Sequence, residues 1–187
     1  MDDKKYALLG VFAPIAAYAF IGLSILSSPW FSWWENALSD LGHSAKSPAA
    51  PLFNFGLLLA GFLTLIYAVE SMIKHARYTG YSLLAAGFLL QLVGAFNEVY
   101  GGLHLVVSIL LFISLGFASV MYFIERRSRL AVIAFIVGLG SWVFYWIRVY
   151  NAGIAVPETI SSTAVALWVM KSALGDFTAG EKRGKET

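Results

Sequence analysis

Six apolar stretches, each long enough to cross a bilayer, take up nearly the whole chain: Tyr6–Leu26, Leu52–Met72, Tyr78–Phe96, Leu103–Ile124, Leu130–Tyr150 and Val156–Leu174. A helix rising 1.5 Å per residue needs about 20 apolar residues to traverse about 30 Å of hydrocarbon. Only short loops and two tails remain, leaving no room for a soluble domain. Charged residues make up 13% of the 187-residue chain, against about 25% in soluble domains, too few to coat a water-facing surface. The expectation is an all-α bundle of six transmembrane helices over residues 1–176, with a polar, mobile tail at 177–187. The first stretch opens with Lys4 and Lys5 but is too long for a signal-peptide core, so it reads as a retained span. Pro14 should kink it, whereas Pro157 falls where a missing N–H costs little.

Basic residues orient the bundle. Eleven of the 13, including Lys4, Lys5, Lys74, Arg77, Arg126 and Arg127, flank one set of span ends, and only Lys46 and Arg148 flank the other. The positive-inside rule then places both termini in the cytoplasm of a cell-membrane protein, with loops 27–51, 97–102 and 151–155 outside. A net charge of +2 would suggest nucleic acid if taken alone, but the basic residues sit beside spans, so nucleic acid is not expected as a partner. Membrane lipids are, and a homo-oligomer or membrane complex is compatible. The absence of cysteine excludes disulfides, thiolate metal sites and a cysteine nucleophile.

Polar side chains within the spans cluster near the outer face. In the third span Gly80, Gly87, Gln91, Gly94 and Glu98 share one stripe, and small residues mark faces where membrane helices approach closely. Gln91 and Glu98 should therefore point inward. Gly138, Ser141, Tyr145 and Arg148 form a similar stripe in the fifth span. His104 lies one turn from Ser108, Asn54 shares a face with Gly61, and Glu158 with Ser162. The economical reading is an outer-leaflet pocket formed by Asp40, His43, Asn54, Glu98, His104, Arg148 and Glu158. A lone guanidinium near hydrocarbon is expensive, so Arg148 should pair with Glu98 or Glu158, with Asp40 third. The stretch ENALSDLGH should form a short helix or turn against the bundle.

The string NALSDLGHSAKSP, followed by a span opening LFNFGLLLAG, resembles the motif of an uncharacterised archaeal and bacterial six-span family, domain-of-unknown-function 998. A Ser-Asp-Leu-Gly element followed by proline is also similar to one in the Frag/DRAM/Sfk membrane proteins, some implicated in lipid-anchor remodelling or autophagy. The resemblance implies a six-helix bundle and an important Ser39–Asp40 pair, with Asn54 in the same element. It implies no reaction.

Three functional classes fit these residues. In a scaffold, subunit or lipid-interacting protein, Arg148 and its carboxylates form a structural network. In a lipid-acting enzyme, Asp40 and Glu98 serve as general base or metal ligands, His43 and His104 as ligands or proton carriers, and Arg148 as a phosphate anchor. Asn54, Gln91 and Glu158 then complete binding. A small lipid or solute transporter would need a polar route through the inner half, where the sequence offers almost none. Zinc would need three of Asp40, His43, Glu98 and His104 to converge. The alternative is that Asp40 caps a short helix and His104 satisfies a backbone carbonyl. Haem would need paired histidines across the core, and His75 sits in the basic KHAR segment, where a solvated loop residue is the default. Glu70 and Glu125 are expected in ion pairs with Lys74 and Arg126 at the inner boundary. The cofactor stays open.

Overall fold

The structure, a computed structural model, describes residues 3–183. Among these, six long helices account for the architecture and no strand occurs. They are α1 (Leu9–Leu26, after a short helical lead-in, Asp3–Ala7), α2 (Ala50–Tyr67), α3 (Arg77–Ala95), α4 (Gly102–Arg126), α5 (Arg129–Trp146) and α6 (Ala155–Arg183). α2 continues through a π-turn, Ala68–Met72, to His75. Five of these helices are long and apolar enough to cross a membrane, and large apolar side chains such as Phe62, Phe88, Ile113 and Ile136 line their outward faces. This is the pattern of a multi-pass membrane protein.

α6 is longer than the others but more polar, carrying Glu158, Thr159, Ser161, Ser162 and Thr163 in its first half. It tolerates them because these side chains turn to the bundle. Ser161 and Ser162 donate to the carbonyls of Pro157 and Glu158, and Thr159 to that of Ala155. At 29 residues it extends about 43 Å, past the thickness of the hydrocarbon. No break falls at residue 176, because the helix runs on through Phe177 to Arg183. The expected tail is therefore helical as far as it is described, and residues 184–187 lie outside the described residues.

Boundaries follow simple chemistry. Arg127 ends α4 in the left-handed region (φ 52°), its N–H returning to the Phe123 carbonyl, and the Ser128 hydroxyl then accepts from Ala131 N–H to open α5. α5 stops at Trp146, short of the predicted Tyr150, because the chain turns at Arg148 (φ 55°). That turn lets the Tyr150 hydroxyl reach back to the Ser141 carbonyl.

Each helix from α1 to α4 packs along its predecessor, α5 and α6 form a hairpin, and α6 returns to α1. Between α4 and α5 the packing is much thinner. α2 approaches α3 closely, since a Cβ on Gly61 would stand 2.7 Å from the Gly87 carbonyl oxygen. Two cores fill the bundle. One, near the end holding residues 3 and 183, centres on Tyr67, Met72 and Trp168; the other, toward the loop 27–49 end, centres on Leu41, Phe53 and Leu57.

The loop 27–49 end is tied together by backbone contacts. Leu38–Gly42 forms one 3₁₀ turn, as expected for ENALSDLGH, with Leu38 and Leu41 buried against Phe53. The 151–155 segment is clamped to it, Gly153 N–H donating to the Trp33 carbonyl and Ala155 N–H to the Asn36 carbonyl. At the opposite end, Glu125 does not pair with Arg126. Its carboxylate instead accepts from the N–H groups of Tyr78 and Thr79 and from the Thr79 hydroxyl, capping α3 where unpaired donors and the helix dipole favour an anion. Glu70 does lie 3.7 Å from Lys74. His75 is not a loop residue. It closes the helical continuation of α2, its Nδ1 lying 2.9 Å from the Ser71 carbonyl oxygen and 3.9 Å from Asp176.

Candidate functional site

The thin seam between α4 and α5 opens into a groove of about 970 Å³. Its walls are Leu105, Ile109, Phe112, Ile113, Gly116, Phe117 and Val120 from α4, and Phe135, Gly138, Leu139, Trp142 and Trp146 from α5. α6 forms its floor through Glu158, Ser161 and Val165. Leu105, Ile109, Ile113, Phe117, Leu139 and Trp146 are also exposed at the outer surface, so the groove opens sideways from the bundle. A smaller chamber of about 180 Å³ lies beside it, among Tyr18, Leu57, Leu90 and Val169. The two share Ser39, Ser108, Phe112, Leu115, Glu158 and Val165 as walls.

The ionisable side chains Glu98, His104 and Glu158 line one end of the groove with Ser39 and Ser108, while Ser119 and Ser161, further along, donate to the Leu115 and Pro157 carbonyls. Glu98 arrives on the short turn Glu98–Tyr100, which Asn97 caps by accepting from Val99 N–H. One Glu98 carboxylate oxygen is fully buried and has no hydrogen-bond partner. Glu158 receives the Leu38 N–H on one oxygen at 2.7 Å, which fastens the 3₁₀ turn to α6. His104 is buried, and its Nδ1 lies 2.8 Å from the Phe96 carbonyl oxygen. A carbonyl only accepts, so Nδ1 carries the proton and Nε2, 3.4 Å from the Ser108 hydroxyl, presents a lone pair.

Other residues expected in the pocket serve the frame instead. Asp40 accepts from the Asn36 side chain and the Ala37 N–H, closing its own turn. Asn54 donates to the Gly42 carbonyl, holding the end of that turn against α2. Gln91 faces α2, with its amide 3.4 Å from the Leu58 carbonyl oxygen, at the Gly61–Gly87 crossing and away from the groove. His43 lines neither cavity, and its Nδ1 is buried without a partner. Arg148 does not make the expected ion pairs. The chain leaves α5 at Trp146 before the helical stripe reaches it, so the side chain is exposed, and among the described residues no ion pair joins it to Glu98, Glu158 or Asp40.

This geometry bears on the chemistry. Among the described residues no three His, Asp or Glu side chains converge as a metal site, because Asp40 and His43 belong to the turn while Glu98 and His104 face the groove. Nor is any histidine hydrogen-bonded to the Ser39 hydroxyl among the described residues. Toward the other end of the bundle the core around Tyr67, Met72 and Trp168 is closely packed, each of these being at most 1% exposed.

A family model described as "Protein of unknown function (DUF998)" matches residues 11–175, nearly the full length of the bundle. The chain belongs to this family. No curated protein and no solved structure matches it. The more distant likeness to Frag/DRAM/Sfk proteins has no support beyond the loop string. Within this DUF998 chain the match begins in α1 and ends in α6, so it covers the loop element, both groove walls and the acidic end together. Sequence reasoning missed the groove and its wall residues. Leu105, Ile109, Phe112, Phe117 on α4 and Phe135, Leu139, Trp142, Trp146 on α5 do recur at helical spacing. In a membrane span that spacing has no polar face to contrast with, and a wall facing a groove has the same composition as one facing lipid.

Proposed function

We propose that this DUF998 protein is a six-span membrane protein, both termini cytoplasmic, that holds one acyl or similar hydrocarbon chain in the groove between α4 and α5. The proposal rests on one observation: a side-opening, mostly apolar groove of about 970 Å³ whose ionisable side chains line a single end. Its size lies in the range of ligand sites, about 300–1,000 Å³. An amphiphile has the same division, with a chain for the walls and a head for Glu98, His104 and Glu158. α6 supports the sixth span because its polar groups are bonded within the bundle, and the excess of basic residues at the end holding residues 3 and 183 supports its cytoplasmic orientation. Binding that leads to presentation, sensing or support of a partner subunit suits this site better than catalysis, since among the described residues no metal cluster is assembled and no histidine is hydrogen-bonded to the Ser39 hydroxyl.

Gly116 offers the test. A Cβ there would find only the Phe135 ring, at 3.6 Å, an ordinary contact, so a larger side chain grows into the groove without displacing backbone. Gly116→Leu is expected to leave thermal stability in detergent unchanged or raised, since glycine is the poorer helix former by about 1 kcal/mol. Native mass spectrometry should then show lipid retained by the wild type and lost from the variant. Equal retention by both would contradict the proposal.

A further inference from the structure

The groove's polar end holds two carboxylates and an imidazole beside the Ser39 and Ser108 hydroxyls, with no cation in an ion pair with the carboxylates among the described residues. Glu98 has a buried oxygen that no donor satisfies. Glu158 has one oxygen taken by the Leu38 N–H. His104 has its Nδ1 proton committed to the Phe96 carbonyl, and its Nε2 accepts from the Ser108 hydroxyl at 3.4 Å. Among the described residues no Lys, Arg or His forms an ion pair with either glutamate, and the two basic residues of this end, Lys46 and Arg148, are both exposed. Two carboxylates lining one end of an apolar groove are unfavourable as a charged pair until a cation or donors reach them.

We propose that the head recognised here is an amine: a long-chain alkylammonium, or an amphiphile whose terminal group is a primary ammonium, seated on the unsatisfied Glu98 oxygen at the end of the groove that Glu158 also lines. This rests on the chain-binding reading above and deepens it. An ammonium brings three N–H donors and one positive charge, which suits acceptors and net negative charge. A phosphate would bring acceptors and negative charge to a place already holding both, so the phosphate anchor that Arg148 suggested is not supplied by this geometry. A neutral hydroxyl head would satisfy one acceptor and leave the charges unopposed.

The full-length protein in neutral-lipid nanodiscs is titrated with dodecyl chains brominated near their ends, bearing an amine, an alcohol or a phosphate head. Quenching of tryptophan fluorescence is read, and the part lost in Trp142→Phe is taken as the groove signal. The amine is expected to half-saturate that signal at about tenfold lower concentration than the alcohol, and the phosphate to bind most weakly. Glu98→Gln and Glu158→Gln should each bring the amine toward the alcohol. In the second of these the new amide oxygen can still accept the Leu38 N–H, so the turn stays fastened to α6. If one variant does not fold, the comparison of heads on the wild type decides alone. Equal binding of all heads, or tightest binding of the phosphate, overturns the amine assignment and leaves the groove standing. No groove signal from any chain overturns both.

Discussion

Replacing Trp168 by alanine is expected to lower the folding stability of the protein in detergent by about 3–5 kcal/mol, the largest effect of any single truncation in the bundle. The indole is 1% exposed and stacks on Tyr122 with ring centroids 4.6 Å apart. Its Nε1–H donates to the Ser119 hydroxyl at 2.9 Å, and Tyr122 in turn donates to Ser172. The cavity left by truncation would sit where α4 and α6 meet, with Ser119 short of its donor. Trp168→Phe keeps most of the volume and should cost only about 1 kcal/mol for the lost hydrogen bond. Reversible unfolding in mixed micelles measures both. An alanine variant within about 1 kcal/mol of the wild type would show that this core does not hold α4 to α6.

Gly153→Val is expected to destabilise the protein by about 2–3 kcal/mol and to loosen the polar end of the groove. A Cβ at this position would run into the backbone of Asn36, which cannot move aside as a side-chain tip can. The two hydrogen bonds that clamp the segment to the first loop, Gly153 to Trp33 and Ala155 to Asn36, would be pushed apart. Glu158 stands one turn further along α6 and is fastened to Leu38 across the same junction, so its position depends on the clamp. Amide hydrogen exchange reads this directly. The Gly153, Ala155 and Leu38 amides should lose protection while those of α2 and α3 keep theirs. Unchanged protection at all three would mean that the loops are not coupled.

Much of the fold was legible because the bilayer constrains helices by length and apolarity, properties a sequence displays openly. The reversal at Arg127–Ser128 and the close α2–α3 crossing through Gly61 and Gly87 follow from residue types with few alternatives. The sixth helix is the instructive case. By composition alone it is the least apolar of the set, and only its bonded serines and threonines explain how it belongs in the bundle. The site was legible in part. Helical spacing aimed His104 and Ser108 the same way, and Glu158 inward, because those residues lie within regular helix. The same rule failed at Arg148, since the helix that would have carried it inward ends two residues earlier. Asp40 and Asn54 were drawn to the pocket by their polarity, yet each is occupied by backbone groups of a loop whose path no periodicity announces. Glu125 was misassigned for a similar reason. Its neighbour in sequence is Arg126, but its neighbours in space are the open donors of α3.

The chain-binding groove is tested most directly by photolabelling. A phospholipid carrying a diazirine on one acyl chain is incorporated with the protein into vesicles, irradiated, and the labelled positions are mapped by peptide mass spectrometry. Labels concentrated on Ile109, Phe112, Phe117, Leu139 and Trp142, the facing walls of α4 and α5, are the expected result. Labels spread evenly over lipid-facing positions elsewhere, such as Phe62 and Phe88, with none on the groove walls, would contradict it.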